Sequence, residues 1–199
     1  MITISNRAKL LFLFTLAISY GCAATTPSVG DNVQYGNSKD VEQVTTEFGS
    51  TDLQMIAEAM ARSLAQSTSG NKDKILVTIA DVKNKTDEYI DTKSITDSIR
   101  VQLLKGGTMR FATDIADMES QTDELSRQNS SGLYKQGSTA KRGKMEGAQY
   151  RIEGNIASIT KRTENIKDVY YKFTLMMTNI ESGTIEWSDE KEIRKTAKH

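Results

Sequence analysis

The side chains that most often carry out chemistry are scarce in this 199-residue sequence, which holds one histidine, His199, and one cysteine, Cys22. A Ser-His-Asp or Cys-His relay needs an imidazole beside its nucleophile, and the common zinc centres need several Cys or His ligands. A single cysteine also excludes an intramolecular disulfide. Carboxylates are abundant, as in Asp87-Glu88, Asp123-Glu124 and Glu190…Glu192. Glycosidic chemistry needs two of them facing each other across a cleft at a defined separation. These lie in polar stretches, often beside lysine, and read as solvated surface. The run Ser138-Thr139-Ala140-Lys141-Arg142-Gly143-Lys144 superficially resembles a phosphate loop. It has Ser138 where that pattern requires Gly and Met145 where it requires Ser or Thr. The expectation is a protein without catalysis, cofactor or metal, with an envelope hydrolase as a disfavoured alternative.

Cys22 is placed for a different reaction. Residues 1–9 carry Arg7 and Lys9 and no acid, and Leu10–Tyr20 reads LLFLFTLAISY, with Gly21 and Cys22 next. A charged start followed by a short apolar run is the pattern of a secretory leader. At ~1.5 Å per residue the run is too short for a ~30 Å bilayer core. A cysteine at the end of that run, directly after a small residue, resembles the lipobox of bacterial lipoproteins, although Ser19 and Tyr20 depart from its preferred residues. The reading is cleavage after residue 21 and acylation of Cys22, and several acyl chains anchor far more firmly than one. Ala23 stands where an Asp would signal inner-membrane retention, so the outer membrane, periplasmic face, is the expected location.

The other residues of interest are suited to contact. Asn84, Lys85, Thr86, Asp87, Glu88 and Tyr89 read as a polar loop after an apolar strand, and polar loops on rigid scaffolds are frequent recognition sites. Asn84, Lys85, Thr86 and Tyr89 are therefore candidate partner-binding residues. Tyr134, Lys141 and Arg142, with Lys135 and Lys144, form a local basic patch suited to an acidic protein or an anionic wall polymer. Trp187 reads as a core or edge anchor.

Something must position these groups. The 26 basic and 26 acidic residues balance to a formal net charge of +0, without the basic footprint of a nucleic-acid binder. With 37% hydrophobic and 26% charged residues the body is globular in composition. Residues 22–49 are rich in Thr, Ser, Gly and Asn and contain the only proline, Pro27, which suggests a flexible tether reaching roughly 30 Å. A domain is expected over 50–197. Thr51-Asp52-Leu53-Gln54 has the spacing of a capping box, and Leu53, Ile56, Met60 and Leu64 repeat at helical spacing. Ile75–Val82 suggests one central strand, and Ile95, Ile99 and Leu103 a second helix ending at Gly106-Gly107. A short strand over Met109–Thr113 and a third helix marked by Ile115, Met118, Thr122 and Leu125 follow. Residues 126–137 read as an exposed loop, and Ser138 as the cap of a short fourth helix ending near Gly147. Tyr150, Ile152, Gly154 and Ile156, then Val169–Thr178, then Ile185 and Trp187 alternate as strands, with Glu181-Ser182-Gly183-Thr184 as a turn. The order predicts a mixed α/β (α+β) fold, parallel early and antiparallel late, with helices on one face of the sheet.

Three stretches together carry a resemblance: ILVTIADVKNKTDEYIDTKSITDSIRVQLLKGG, GAQYRIEGNI and YYKFTLMMTNIESGTIEWSDEKEI. Following a lipidated Cys and a tether, they are similar to the LpoB family of outer-membrane lipoproteins, over residues 50–195, roughly three quarters of the chain. The resemblance implies a fold similar to the N-terminal domain of TolB and to the periplasmic domain of the curli secretion lipoprotein. It also implies a non-catalytic regulator of peptidoglycan synthesis whose partner is a bifunctional class A penicillin-binding protein. A curli-secretion-type assembly lipoprotein is the alternative. The chain departs from the family pattern in a shorter tether with one proline and in a longer polar insertion around 126–142.

Acylation at Cys22 has a direct test. Cys22→Ala is expected to leave an uncleaved or soluble precursor that no longer fractionates with the outer membrane; normal fractionation of the variant refutes the lipid anchor.

Overall fold

The computed structural model describes residues 36–40, 42–71 and 73–198. The leader, Cys22, most of the tether and His199 lie outside these residues. The chain divides into two units, Met1–Asp40 and Val41–His199. In the first, Asn37 Nδ2 donates to Asp40 Oδ1 at 2.8 Å. The second carries the fold.

Its first helix, α1, runs from Ser50 to Thr68 and begins earlier than the Thr51…Gln54 spacing implies. The cap is Gly49, whose N–H donates to Asp52 Oδ2 at 2.8 Å, and Glu42 Oε1 accepts the Thr51 N–H at 3.2 Å. Two carboxylates thus satisfy first-turn amides, where the helix dipole also favours negative charge. Composition therefore misleads over the last residues of the presumed tether, because Glu42, Thr46, Glu47 and Phe48 all bond or pack onto the domain. Helix α2, Thr92–Gly106, starts at Asp91, which accepts the Ser94 N–H at 3.1 Å, and stops at Gly107 in the left-handed region, φ 67°. That stop is the one the Gly-Gly pair predicts.

Six strands form one mixed sheet: β1 Ile75–Ile79, β2 Lys83–Lys85, β3 Met109–Phe111, β4 Tyr150–Arg162, β5 Ile166–Asn179 and β6 Ile185–Lys198. The order is β3-β1-β4-β5-β6, and β2 also pairs with β4. β1 is parallel to β3 and β4, while β4, β5 and β6 are successively antiparallel. The stretch Ile75–Val82 is thus not one strand. Ile79 pairs with Ile152 and Lys83 with Asn155, so the first chain uses one residue more than β4 over that interval. The surplus is absorbed between Ala80 and Val82, whose side chain is buried. Asn84 and Lys85 consequently belong to a strand, and the loop proper starts at Thr86.

Helix α3 runs from Ile115 to Ser130, five residues into the expected loop. Glu124 binds Arg127 and Gln128 across one turn and supports the extension. The fourth helix does not form. Gly137 and Gly143 take positive φ, and the Ala140 backbone bonds the Gln128 and Asn129 side chains instead of a helical neighbour.

Ile56, Met60 and Leu64 of α1 and Ile95, Ile99 and Leu103 of α2 meet one face of the sheet. On β5 that face is Val169, Tyr171, Phe173, Leu175 and Met177, all buried, while the intervening residues are half-exposed. Each large apolar side chain so buried contributes about 1.5–3 kcal/mol. Trp187 is the anchor its size suggests: half-buried against the core, it donates Nε1–H to Ser63 Oγ at 3.2 Å and ties β6 to α1.

Gly154 faces Leu175 in the β4–β5 ladder, and a Cβ there would fall deep inside contact distance of the Thr174 carbonyl and 2.7 Å from Leu175 Cδ2. Gly154→Ala is expected to cost about 1–3 kcal/mol of stability, read as a lower urea midpoint; an unchanged midpoint contradicts that packing.

Candidate functional site

The segment after β2 is built by its own side chains. Asn84 Oδ1 accepts the Thr86 N–H at 2.9 Å, Asn84 Nδ2 donates to the Glu88 carbonyl at 2.9 Å, and the Glu88 N–H reaches Thr86 Oγ1 at 3.3 Å. Asn84 and Thr86 therefore use their polar atoms to shape the loop. Lys83, Lys85 and Asp87 are exposed, and Tyr89 stands 91% exposed. Of the four candidates in this segment Asn84, Lys85 and Tyr89 are exposed, and Lys85 and Tyr89 are the two whose side chains take no part in shaping the loop.

Glu88 fastens the loop to the domain. Its carboxylate accepts the Phe48 N–H at 3.2 Å and the phenolic proton of Tyr171. The Tyr171 oxygen also lies 2.9 Å from the Thr46 carbonyl, and the Phe48 ring meets the Tyr171 ring edge-on at 5.8 Å. Beside this group the Lys195 ammonium binds Asp52 and donates to the Glu47 carbonyl at 2.6 Å, its Nζ 5.9 Å from the Tyr171 ring centre. The Lys195 and Asp52 side chains are only 9% and 5% exposed. Asp52 thus serves the ammonium and the Gly49 amide together. Residues 46–48, the 86–88 loop, β4, β5 and β6 converge here. A cleft of about 700 Å³ opens beside them, lined by Thr46, Glu47, Asp87, Glu88, Arg162 and Lys167 among others. The bonds of Tyr171 and Lys195 carry no local sequence signal, because their partners lie 83 to 148 residues away.

The basic group is elsewhere. Tyr134 lies under the Arg127 guanidinium at 5.5 Å, Arg142 donates to Ser130 Oγ at 3.1 Å, and Lys135, Lys141 and Lys144 are exposed. This segment re-enters the sheet at Tyr150, whereas β2 pairs with β4 at Asn155–Ala157. At ~3.3 Å per residue the points where the two segments meet β4 are roughly 17–23 Å apart.

The carboxylates noted in the sequence are mostly engaged: Glu124 by Arg127 and Gln128, Glu190 by Lys172 at 2.5 Å, Glu192 by the Tyr170 hydroxyl. Among the described residues no three His, Cys, Asp or Glu side chains are grouped to hold a metal ion, and no helix is long and apolar enough to cross a membrane.

Burial first, then the Glu88 carboxylate, pushes the Tyr171 phenol above its ordinary value. Above pH ~10 the unfolded chain releases this proton while the folded chain keeps it, so stability should fall as pH rises. Tyr171→Phe is expected to cost about 1–3 kcal/mol at neutral pH, by removing a donor from Glu88, and to flatten that alkaline fall. Superimposable stability–pH curves for the two proteins would overturn the assignment.

A search of curated proteins finds no match to the chain. Among solved structures, the C-terminal domain of LpoB from Escherichia coli is similar at 17% identity and TM-score 0.41, covering 69% of this chain and 97% of that one. The corresponding domain from Salmonella enterica gives 18% identity and TM-score 0.38, with 71% and 94% covered. Lipoprotein GNA1162 from Neisseria meningitidis gives 12% and 0.40, with 62% and 84% covered. The sequence model of the family described as "Peptidoglycan-synthase activator LpoB" matches residues 52–193, from Asp52 in the first turn of α1 to Ile193 in β6. With well over half its length matched, this chain belongs to the LpoB family of peptidoglycan-synthase activators.

Proposed function

We propose that the chain is a non-catalytic lipoprotein, held by acyl chains on Cys22 at the periplasmic face of the outer membrane, that binds and activates a bifunctional class A penicillin-binding protein. The family match over 52–193 carries this reading and favours it over a curli-secretion-type assembly role. Docking is assigned to the Asn84, Lys85, Thr86 and Tyr89 segment. Asn84 and Thr86 fix its backbone, and Lys85 and Tyr89 supply the contacts. A loop already ordered in the free protein loses little entropy on binding, and an exposed tyrosine offers a large rigid face with a polar tip. Activation then follows from linkage: the regulator binds the active conformation of the synthase more tightly and raises its population.

Lys85→Glu and Tyr89→Ala are each expected to weaken stimulation of a cognate synthase's glycan polymerisation by about tenfold or more in the concentration required, the size of a hot-spot loss. Their melting temperatures should match the parent, because both side chains point into water. Full stimulation by both variants rejects this docking surface.

A further inference from the structure

Helix α3 ends at Ser130, and the chain then doubles back along its last turns. Gly132, φ 72°, makes the first bend. Tyr134 packs under Arg127 at 5.5 Å, Ala140 donates its N–H to Gln128 Oε1 at 3.0 Å and accepts from Asn129 Nδ2 at 2.9 Å, and Arg142 reaches Ser130 Oγ at 3.1 Å. Residues 131–142 are therefore a knuckle fastened at four points. Leu133 projects from it 79% exposed, and Met145 beyond it is 51% exposed. Lys135, Lys141, Arg142 and Lys144 surround them, exposed, and none makes an ion pair among the described residues. Of the acids close in sequence, Glu124 pairs with Arg127 and Glu146 with Arg110 at 2.6 Å, and Asp123 is exposed.

We propose that this knuckle contacts a membrane surface, with anionic lipid headgroups on Lys135, Lys141, Arg142 and Lys144 and Leu133 entering the boundary between headgroups and acyl chains. The charge sign suits an anionic bilayer. A soluble wall polyanion would engage the same cations but leave Leu133 in water. A protein partner is disfavoured because three of the four cations are lysine, a residue depleted at protein interfaces. A fluid lipid surface requires no shape complementarity. The contact is weak alone, and acts as a second attachment that sets how the domain sits on its membrane. It does not depend on the activator reading.

The test uses the full chain with Cys22→Ser and one new thiol, Gln136→Cys, carrying an environment-sensitive dye in the knuckle. A second labelled chain carries Ser182→Cys instead, in the β5–β6 turn. Each is mixed with phosphatidylcholine vesicles, with and without one third phosphatidylglycerol. The dye at 136 is expected to shift to the blue only on the anionic vesicles, and the dye at 182 to remain in water. The shift should disappear in 1 M salt, where the screening length falls to about 3 Å. It should also disappear with Lys141→Glu and Arg142→Glu together, or with Leu133→Asp. No shift at 136, a shift that survives charge reversal, or an equal shift with soluble polyglutamate would overturn the proposal.

Discussion

Glu88 accepts a hydrogen bond from the Tyr171 phenol and another from the Phe48 amide, and through these bonds the loop after β2, the middle of β5 and the approach to α1 hold one another. A half-buried carboxylate deprived of its donors costs several times what an exposed one does, so the three segments are bound to a common arrangement. The Thr46 and Glu47 carbonyls accept from Tyr171 and Lys195, and the Glu42 carboxylate from Thr51, so residues 42–48 join the domain. Asp52 and Lys195 repeat the logic one step away, where a buried charge pair is completed by the Gly49 amide and the Glu47 carbonyl. Breaking such a pair leaves one buried charge unmatched, which is worse than never having built it. The apolar core beneath is generic in composition. This polar corner is what selects a particular seating of the entry segment over the sheet.

Above that corner the sheet divides its duties. One face takes α1 and α2 and is apolar; the other carries charged and aromatic ladders such as Lys172–Glu190 and Arg194 over Tyr170. The edge strand β6 carries charged side chains along much of its length, acids mostly in its first half and bases in its second, a composition that discourages pairing with a foreign strand. The parallel side of the sheet is short, with three-residue β2 and β3, and so delivers loops close to β4. It is on this side that the Asn84–Tyr89 loop emerges, preshaped by Asn84 and Thr86.

The knuckle after α3 is the part of the surface that the core does not explain. α3 has no fully buried side chain among those described, yet its last turns spend several hydrogen bonds on holding residues 131–142. A segment of this composition would otherwise be disordered.

What periodicity encodes was legible without coordinates. Alternation over Val169–Met177, the i, i+4 spacing of Ile56, Met60 and Leu64 and of Ile95, Ile99 and Leu103, and the stops at Gly107 and Gly183 specify α1, α2, β5 and the final hairpin, because each depends on neighbours a few residues away. Tertiary structure alone decided where those regularities give way. Lys83–Lys85 becomes a strand because β4 offers it a ladder, the chain after Ser138 declines a helix because Gln128 and Asn129 claim its backbone, and the tether ends early because Tyr171, Glu88 and Lys195 bind it. Propensity is a sum over local conformations, whereas these outcomes turn on single hydrogen bonds between groups as much as 148 residues apart, which no local pattern records.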